Sequence, residues 1–173
     1  MRRDQMEHIL RAAASITNER EFVVIGSQAL LAALPDLGPP LDKSMELDLY
    51  PLNNPAAASL IDGTIGELSP FDETFGYYGH GVGPETAILP RDWRDRAITV
   101  QNQNTGDAVG ICISPEDLAL SKLAAGREKD LEFVSEMVAR GIVQTERLGC
   151  LVDELEADAR ELTRGRIERI ASA

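Results

Sequence analysis

The chain has 173 residues, 43% hydrophobic, 27% charged and 5% aromatic, with 17 basic against 29 acidic side chains for a formal net charge of −12. That is enough chain for one compact domain whose core needs neither disulfides nor a structural metal, and the composition excludes disorder, collagen and coiled coil as the whole architecture. The acidic balance argues against a broad nucleic-acid footprint, which needs Lys and Arg in excess, and leaves only a localised basic patch open.

No apolar stretch approaches the roughly 20 residues of a bilayer span, and the opening MRRDQMEHIL carries charge where a signal peptide has its apolar core. The expectation is a soluble, cytoplasmic protein with no membrane partner. Cys112 and Cys150 stand alone, without CxxC spacing or a neighbouring histidine, and read as buried small hydrophobes.

In chain order, Asp4 to Asn18 carries Met6, Ile9, Leu10, Ala13 and Ile16 at helical spacing, an amphipathic helix. The β-branched run Glu21 to Gly26 predicts a strand buried on both faces, after which Ser27 would cap a helix from Gln28 to Leu34, stopped by Pro35. From Ser44 to Tyr50 the alternation is strict: Met45, Leu47 and Leu49 face one way, Glu46, Asp48 and Tyr50 the other. A short helix is expected through Ala56 to Ile61, then a glycine-rich loop from Phe71 to Pro90. Ala97 to Gln101 and Ala108 to Ile113 flank a turn and predict an antiparallel hairpin. Ser114-Pro115-Glu116-Asp117 is a strong helix start, opening a segment broken at Gly126. A second segment runs from Arg127 to Arg140, and Glu146 to Ile170 predicts one long amphipathic helix.

Three features carry potential chemistry. Gly26-Ser27 joins a buried strand to a helix, where unpaired N–H groups and the helix dipole suit a phosphate; a plain N-cap is the bland alternative. Glu46 and Asp48 share a strand face, which costs self-repulsion unless a cation neutralises them, and an all-oxygen pair suits Mg²⁺; a solvated edge strand is the alternative. Lys122 precedes a dense Arg127, Lys129, Asp130 cluster, suggesting anion binding, against local ion pairing with neighbouring acids. His80 could touch a substrate, but a glycine-rich loop with one histidine reads first as solvated; His8 on its helix reads as surface; and Trp93 with Arg91, Arg94 and Arg96 could stack a base but reads first as a core anchor with solvated arginines.

The order strand–Gly-Ser–helix, then a strand with E-x-D, then Lys122 and Arg127-Glu-Lys129-Asp130 resembles the polymerase-beta-type nucleotidyltransferase superfamily, most closely its small bacterial members related to AbiEii and MenT toxins. The resemblance implies an α/β (α+β) fold, a small mixed twisted sheet with flanking helices, as one domain over 1–173: a sheet-containing core, 1–113, and a helical portion, 114–173, closing the cleft. It implies Gly26 and Ser27 near the nucleotide's phosphates, Glu46 and Asp48 as Mg²⁺ ligands, Lys122 steadying the triphosphate, and Arg127, Lys129 and Asp130 as the downstream element, with Asp130 supporting the site. The implied reaction moves an NMP from an NTP to an acceptor hydroxyl of a protein, RNA or small molecule, with release of pyrophosphate. The protein would then be an enzyme, with an antitoxin as a possible partner. Two departures stand out: E-x-D replaces D-x-D or D-x-E after a longer spacer, and Ile98 to Gln103 offers no third carboxylate. A catalytically degenerate nucleotide- or partner-binding module of the same fold is the alternative, and a metal-dependent nuclease a weaker one.

Overall fold

The computed structural model describes residues 1–172 and resolves two compact units, one of Met1–Thr86 with Ala97–Ile113 and one of Ala87–Arg96 with Ser114 onward. The first unit is built on a five-stranded sheet of order β3-β2-β1-β5-β4. Helix α1 (Arg3–Thr17) buries Met6, Ile9, Leu10 and Ala13, the stripe its spacing dictates. Strand β1 (Glu21–Ile25) is the middle strand, which is why four consecutive residues, Phe22 to Ile25, are buried. Strand β2 (Glu46–Pro51) pairs antiparallel with β1, with Ile25 opposite Asp48 and Val24 opposite Leu49. Helices α2 (Ala58–Ile65) and α3 (Pro70–Phe75) follow, then strand β3 (Tyr78–Gly81), parallel to β2. Strands β4 (Ile98–Val100) and β5 (Val109–Cys112) form the expected antiparallel hairpin, whose second strand runs parallel to β1. The result is the mixed α/β sheet the sequence predicts. No helix among the described residues is long and apolar enough to cross a membrane.

The glycine-rich stretch from Phe71 to Pro90 is not a plain loop, because α3 and β3 lie within it. Strand β3 alternates Tyr78-Gly79-His80-Gly81, so its two glycines share one face and its two polar side chains the other. The glycine face receives helix packing at contact distance. A Cβ on Gly79 would sit 3.1 Å from atoms of both Ile9 and Ile65, and one on Gly81 only 1.9 Å from the carbonyl oxygen of Ala58. The missing side chains let α2 press onto the strand backbone.

The second unit begins with the segment Ala87–Arg96 and continues through α4 (Pro115–Ala125), α5 (Glu128–Ala139), α6 (Thr145–Leu151) and α7 (Ala157–Ala171). Ser114 caps α4 as expected, accepting from the Asp117 N–H at 3.1 Å and donating its own hydroxyl proton to the Asp117 carboxylate at 2.6 Å. That carboxylate is fully buried and also accepts from Nε and Nη2 of Arg96, which therefore ties its segment to α4. Arg96 is thus not a solvated arginine, and Trp93 is half-buried instead of anchoring the core.

Three further expectations are corrected. The predicted helix over Glu146 to Ile170 is two helices, separated by a short 3₁₀ turn at Val152–Glu154 and an extended Leu155. Val152 and Leu155 are both buried, and Arg160 donates to the freed Leu155 carbonyl, so the break is stabilised without proline or glycine. Past it the exposed face includes Leu162, and Thr163 and Ile167 turn inward instead. Cys112 is buried, which pushes its thiol up to about 12, but Cys150 is exposed on α6. Met45 lies just outside β2 and is exposed, while Leu47 and Leu49 are buried as their alternation requires.

The close approach of α2 to β3 gives a paired expectation. Gly81→Ala should lower the unfolding free energy by about 1–3 kcal/mol, the cost of overpacking against backbone that cannot move aside. Gly63→Ala, in the exposed interior of α2 with nothing within 4 Å of the new methyl, should instead raise it by about 0.5–1 kcal/mol. Urea unfolding of both variants checks the two signs.

Candidate functional site

The carboxylates of β2 are paired side by side, as the alternation predicts. Leu47 and Leu49 lie in register with Gly79 and Gly81, whose face is covered by α1 and α2, so Glu46 and Asp48 face the other way with Tyr78 and His80. Register places Glu46 against Tyr78 and Asp48 against His80 on the neighbouring strand. The Tyr78 hydroxyl donates to Glu46 Oε2 at 3.2 Å. Burial and the Glu46 charge push that phenol up to about 12, so it remains a donor at neutral pH. Asp48 Oδ1 lies 2.7 Å from Nδ1 of His80. An ionised carboxylate only accepts, so Nδ1 carries the proton, and the outer ring nitrogen belongs to a side chain that is 46% exposed. His80 is exposed, as expected, but it lies on a strand and not in a loop, and it engages Asp48.

Gly26 ends β1 against the same carboxylate. Its φ is +70° and a Cβ there would meet Asp48 Oδ2 at 2.0 Å, so both the backbone conformation and the space demand glycine. Ser27 follows at the start of a six-residue 3₁₀ helix, Ser27–Ala32. The expected Ser27 cap is not formed: Gly26 occupies the N-cap position and no side chain caps the turn. Gln28, next in line, is 1% exposed, and both polar atoms of its amide lack a hydrogen-bond partner.

In the helical unit Lys122, on α4, and Arg127, at the N-cap of α5, converge on Asp130. Lys122 Nζ lies 3.0 Å from Oδ1 and Arg127 Nε 2.6 Å from Oδ2. The Asp130 side chain is 1% exposed, Lys122 13% and Arg127 65%. Burial alone would raise the Asp130 carboxyl, but hydrogen bonds from Arg127 and Lys122 outweigh it and hold the group below the ordinary carboxylate range. Lys122 also sits 4.4 Å from the centre of the Phe133 ring, a cation–π contact. Lys129 is exposed. The local ion pairs therefore run to Asp130 itself. The triad keeps one net positive charge, and Arg127 is its accessible member.

Among the described residues no group of three or more His, Cys, Asp or Glu side chains is arranged to hold a metal ion. The structure thus brings Glu46, Asp48, Gly26 and His80 together in the sheet unit, and Lys122, Arg127 and Asp130 together in the helical one. His8 lies outside both groups. Its Nδ1 is 2.8 Å from the Tyr77 hydroxyl, and it packs on Phe71 and Phe75, so it is half-buried and not a surface residue.

Residues 4–170 match the family described as nucleotidyltransferase of unknown function (DUF6036). The chain belongs to this family. No curated protein and no solved structure matches it. Membership covers nearly the whole chain, including both clusters just described, and accords with the superfamily to which the order of Gly26-Ser27, Glu46-x-Asp48 and Lys122 to Asp130 points.

Two outcomes follow for this family member. Asp130→Asn should lower the unfolding free energy by about 3 kcal/mol at neutral pH, because it leaves the largely buried Lys122 without its counter-charge. The depressed carboxyl contributes its stability above the unfolded carboxylate range and loses it as pH falls through the lower folded value. Denaturation of both proteins from neutral to acidic pH should therefore show the gap closing on the acid side. Gln28→Met removes an unpaired buried amide at similar volume and should raise stability by about 1–2 kcal/mol, read from the denaturation midpoint.

Proposed function

We propose that the protein is a Mg²⁺-dependent nucleotidyltransferase that moves an NMP from an NTP to an acceptor hydroxyl and releases pyrophosphate. The observation that carries this reading is the pair Glu46 and Asp48 on one sheet face, with the Gly26 backbone pressed against Asp48, in a chain of a nucleotidyltransferase family. The donor set suits the ion: Mg²⁺ is commonly held by one or two carboxylates, with waters and substrate phosphates in its remaining positions, whereas a closed zinc centre needs four protein ligands. Bound there, Mg²⁺ would neutralise charge on the transferring phosphoryl group.

The chain's own residues have distinct parts in this reading. Glu46 and Asp48 would hold the ion, and Gly26 and Ser27 would approach the nucleotide's phosphates. In the helical unit Arg127 and Lys129 are accessible cations, and Asp130 fixes Lys122 and Arg127 in position. The acceptor oxygen bonds to the α-phosphorus, the bond to the bridging oxygen breaks, pyrophosphate leaves, and the hydroxyl proton passes to solvent. A role as the toxin of a toxin–antitoxin pair belongs to the same reading, supported by the sequence resemblance alone, with a protein, RNA or small molecule as acceptor. A second reading, a degenerate nucleotide- or partner-binding module, is favoured because among the described residues no third His, Cys, Asp or Glu is arranged with Glu46 and Asp48 to hold a metal ion.

Calorimetric titration of each of the four NTPs, with and without Mg²⁺, separates the readings when combined with pyrophosphate release in the presence of candidate acceptors. The transferase reading expects Mg²⁺-dependent binding and turnover, with Glu46→Gln/Asp48→Asn slowing turnover by about 10²-fold or more, the scale of several kcal/mol of charge stabilisation. Binding without pyrophosphate release from any acceptor would favour the module, and failure of the folded protein to bind any NTP would sink the transferase.

A further inference from the structure

Strand β3 does more than complete the sheet edge. Each carboxylate of β2 receives one hydrogen bond from the residue beside it on β3: Tyr78 donates to Glu46 Oε2 at 3.2 Å, and His80 donates to Asp48 Oδ1 at 2.7 Å. The opposite face of β3 is fixed by α2, whose backbone leaves no room for a side chain at Gly81 and whose Ile61 and Ile65 close over Gly79. The strand is thus held from behind while its two polar side chains reach forward to the acids.

We propose that Tyr78 and His80 are positioning residues that orient Glu46 and Asp48 for a divalent cation. The inference rests on the transferase reading of that carboxylate pair. Ligating carboxylates are themselves commonly hydrogen-bonded by a second layer of side chains, which fixes their rotamers. Two acids on one strand, about 6.8 Å apart along the backbone, would otherwise relieve their repulsion by rotating apart. A donor to one oxygen of each holds both carboxylates on the same face. In His80 the donor is Nδ1–H, directed at the Asp48 carboxylate.

Binding of Mn²⁺ alone, followed by the loss of its free electron-paramagnetic-resonance signal on titration with the intact chain, tests this without reference to turnover. Wild type should bind, and Glu46→Gln/Asp48→Asn should not. His80→Ala and Tyr78→Phe should each weaken the affinity by about 10–100-fold, the usual cost of losing a hydrogen-bond partner behind a metal ligand. His80→Asn, which keeps a short side-chain donor, should recover most of the loss. The thermal midpoints of all three should stay close to wild type, since neither hydrogen bond is deeply buried. Wild-type binding with an unchanged affinity in either His80→Ala or Tyr78→Phe overturns the assignment for that residue. No recovery in His80→Asn overturns the donor role of His80. A wild type that binds no Mn²⁺ removes the carboxylate site itself, and this inference with it.

Discussion

Two acids placed two residues apart on one strand cannot turn to opposite faces, and in this protein much of the sheet unit is arranged around that constraint. Strand alternation fixes Glu46 and Asp48 on the face away from α1 and α2, because Leu47 and Leu49 must enter the core. The like charges are then met from both sides of β2. On one side β3 supplies a phenol and an imidazole N–H; on the other β1 ends in a glycine whose missing Cβ leaves room for the Asp48 carboxylate. The Gly-x-Gly pattern of β3 is the rear half of the same arrangement, since a bulkier strand would be pushed from α2 and its donors would move with it.

The helical unit handles the opposite charge in a comparable way. Lys122 and Arg127 converge on one buried carboxylate instead of repelling each other across the α4–α5 junction, and the Phe133 ring lies beside the ammonium. Asp130 therefore decides what the cations can do. Lys122, 13% exposed and doubly held, contributes mainly to the field of the cluster, whereas Arg127, 65% exposed, can exchange part of its contact with Asp130 for an incoming anion. An arginine suits that position because its fork offers donors beyond the Nε already engaged.

Legibility in the sequence followed the strength of local pattern. The α1 stripe, the run of β1, the alternation of β2, the hairpin of β4 and β5 and the Ser114 cap all rest on residues whose chemistry allows few alternatives, and each was readable. Strand β3 was not, because two of its four residues are glycines that signal a loop unless the helix behind them is known. With β3 hidden, Tyr78 and His80 had no address beside the acids. The break in the C-terminal segment is hidden in the sequence because apolar spacing continues through a turn that is stabilised by burial of Val152 and Leu155 and by the bond from Arg160 to the Leu155 carbonyl. Ser27 does not cap for a local reason: Gly26 takes a positive φ at the cap position, and the following turn is 3₁₀.

The composition of the carboxylate site carries a further consequence for the transferase reading. Two protein carboxylates, with no third His, Cys, Asp or Glu arranged to join them among the described residues, leave most of an octahedral shell to water and to a ligand's own oxygens. An ion held so incompletely gains most when a triphosphate contributes the missing oxygens, and by linkage the nucleotide gains by the same factor from the ion. Each is then held more weakly alone than in the presence of the other. What the chain itself can optimise is the orientation of its two carboxylates before either ligand arrives, since the energy of holding them together is then spent in folding and not in binding. Hydrogen bonds from Tyr78 and His80, backed by the contact of α2 with β3, are the means this structure provides for doing so.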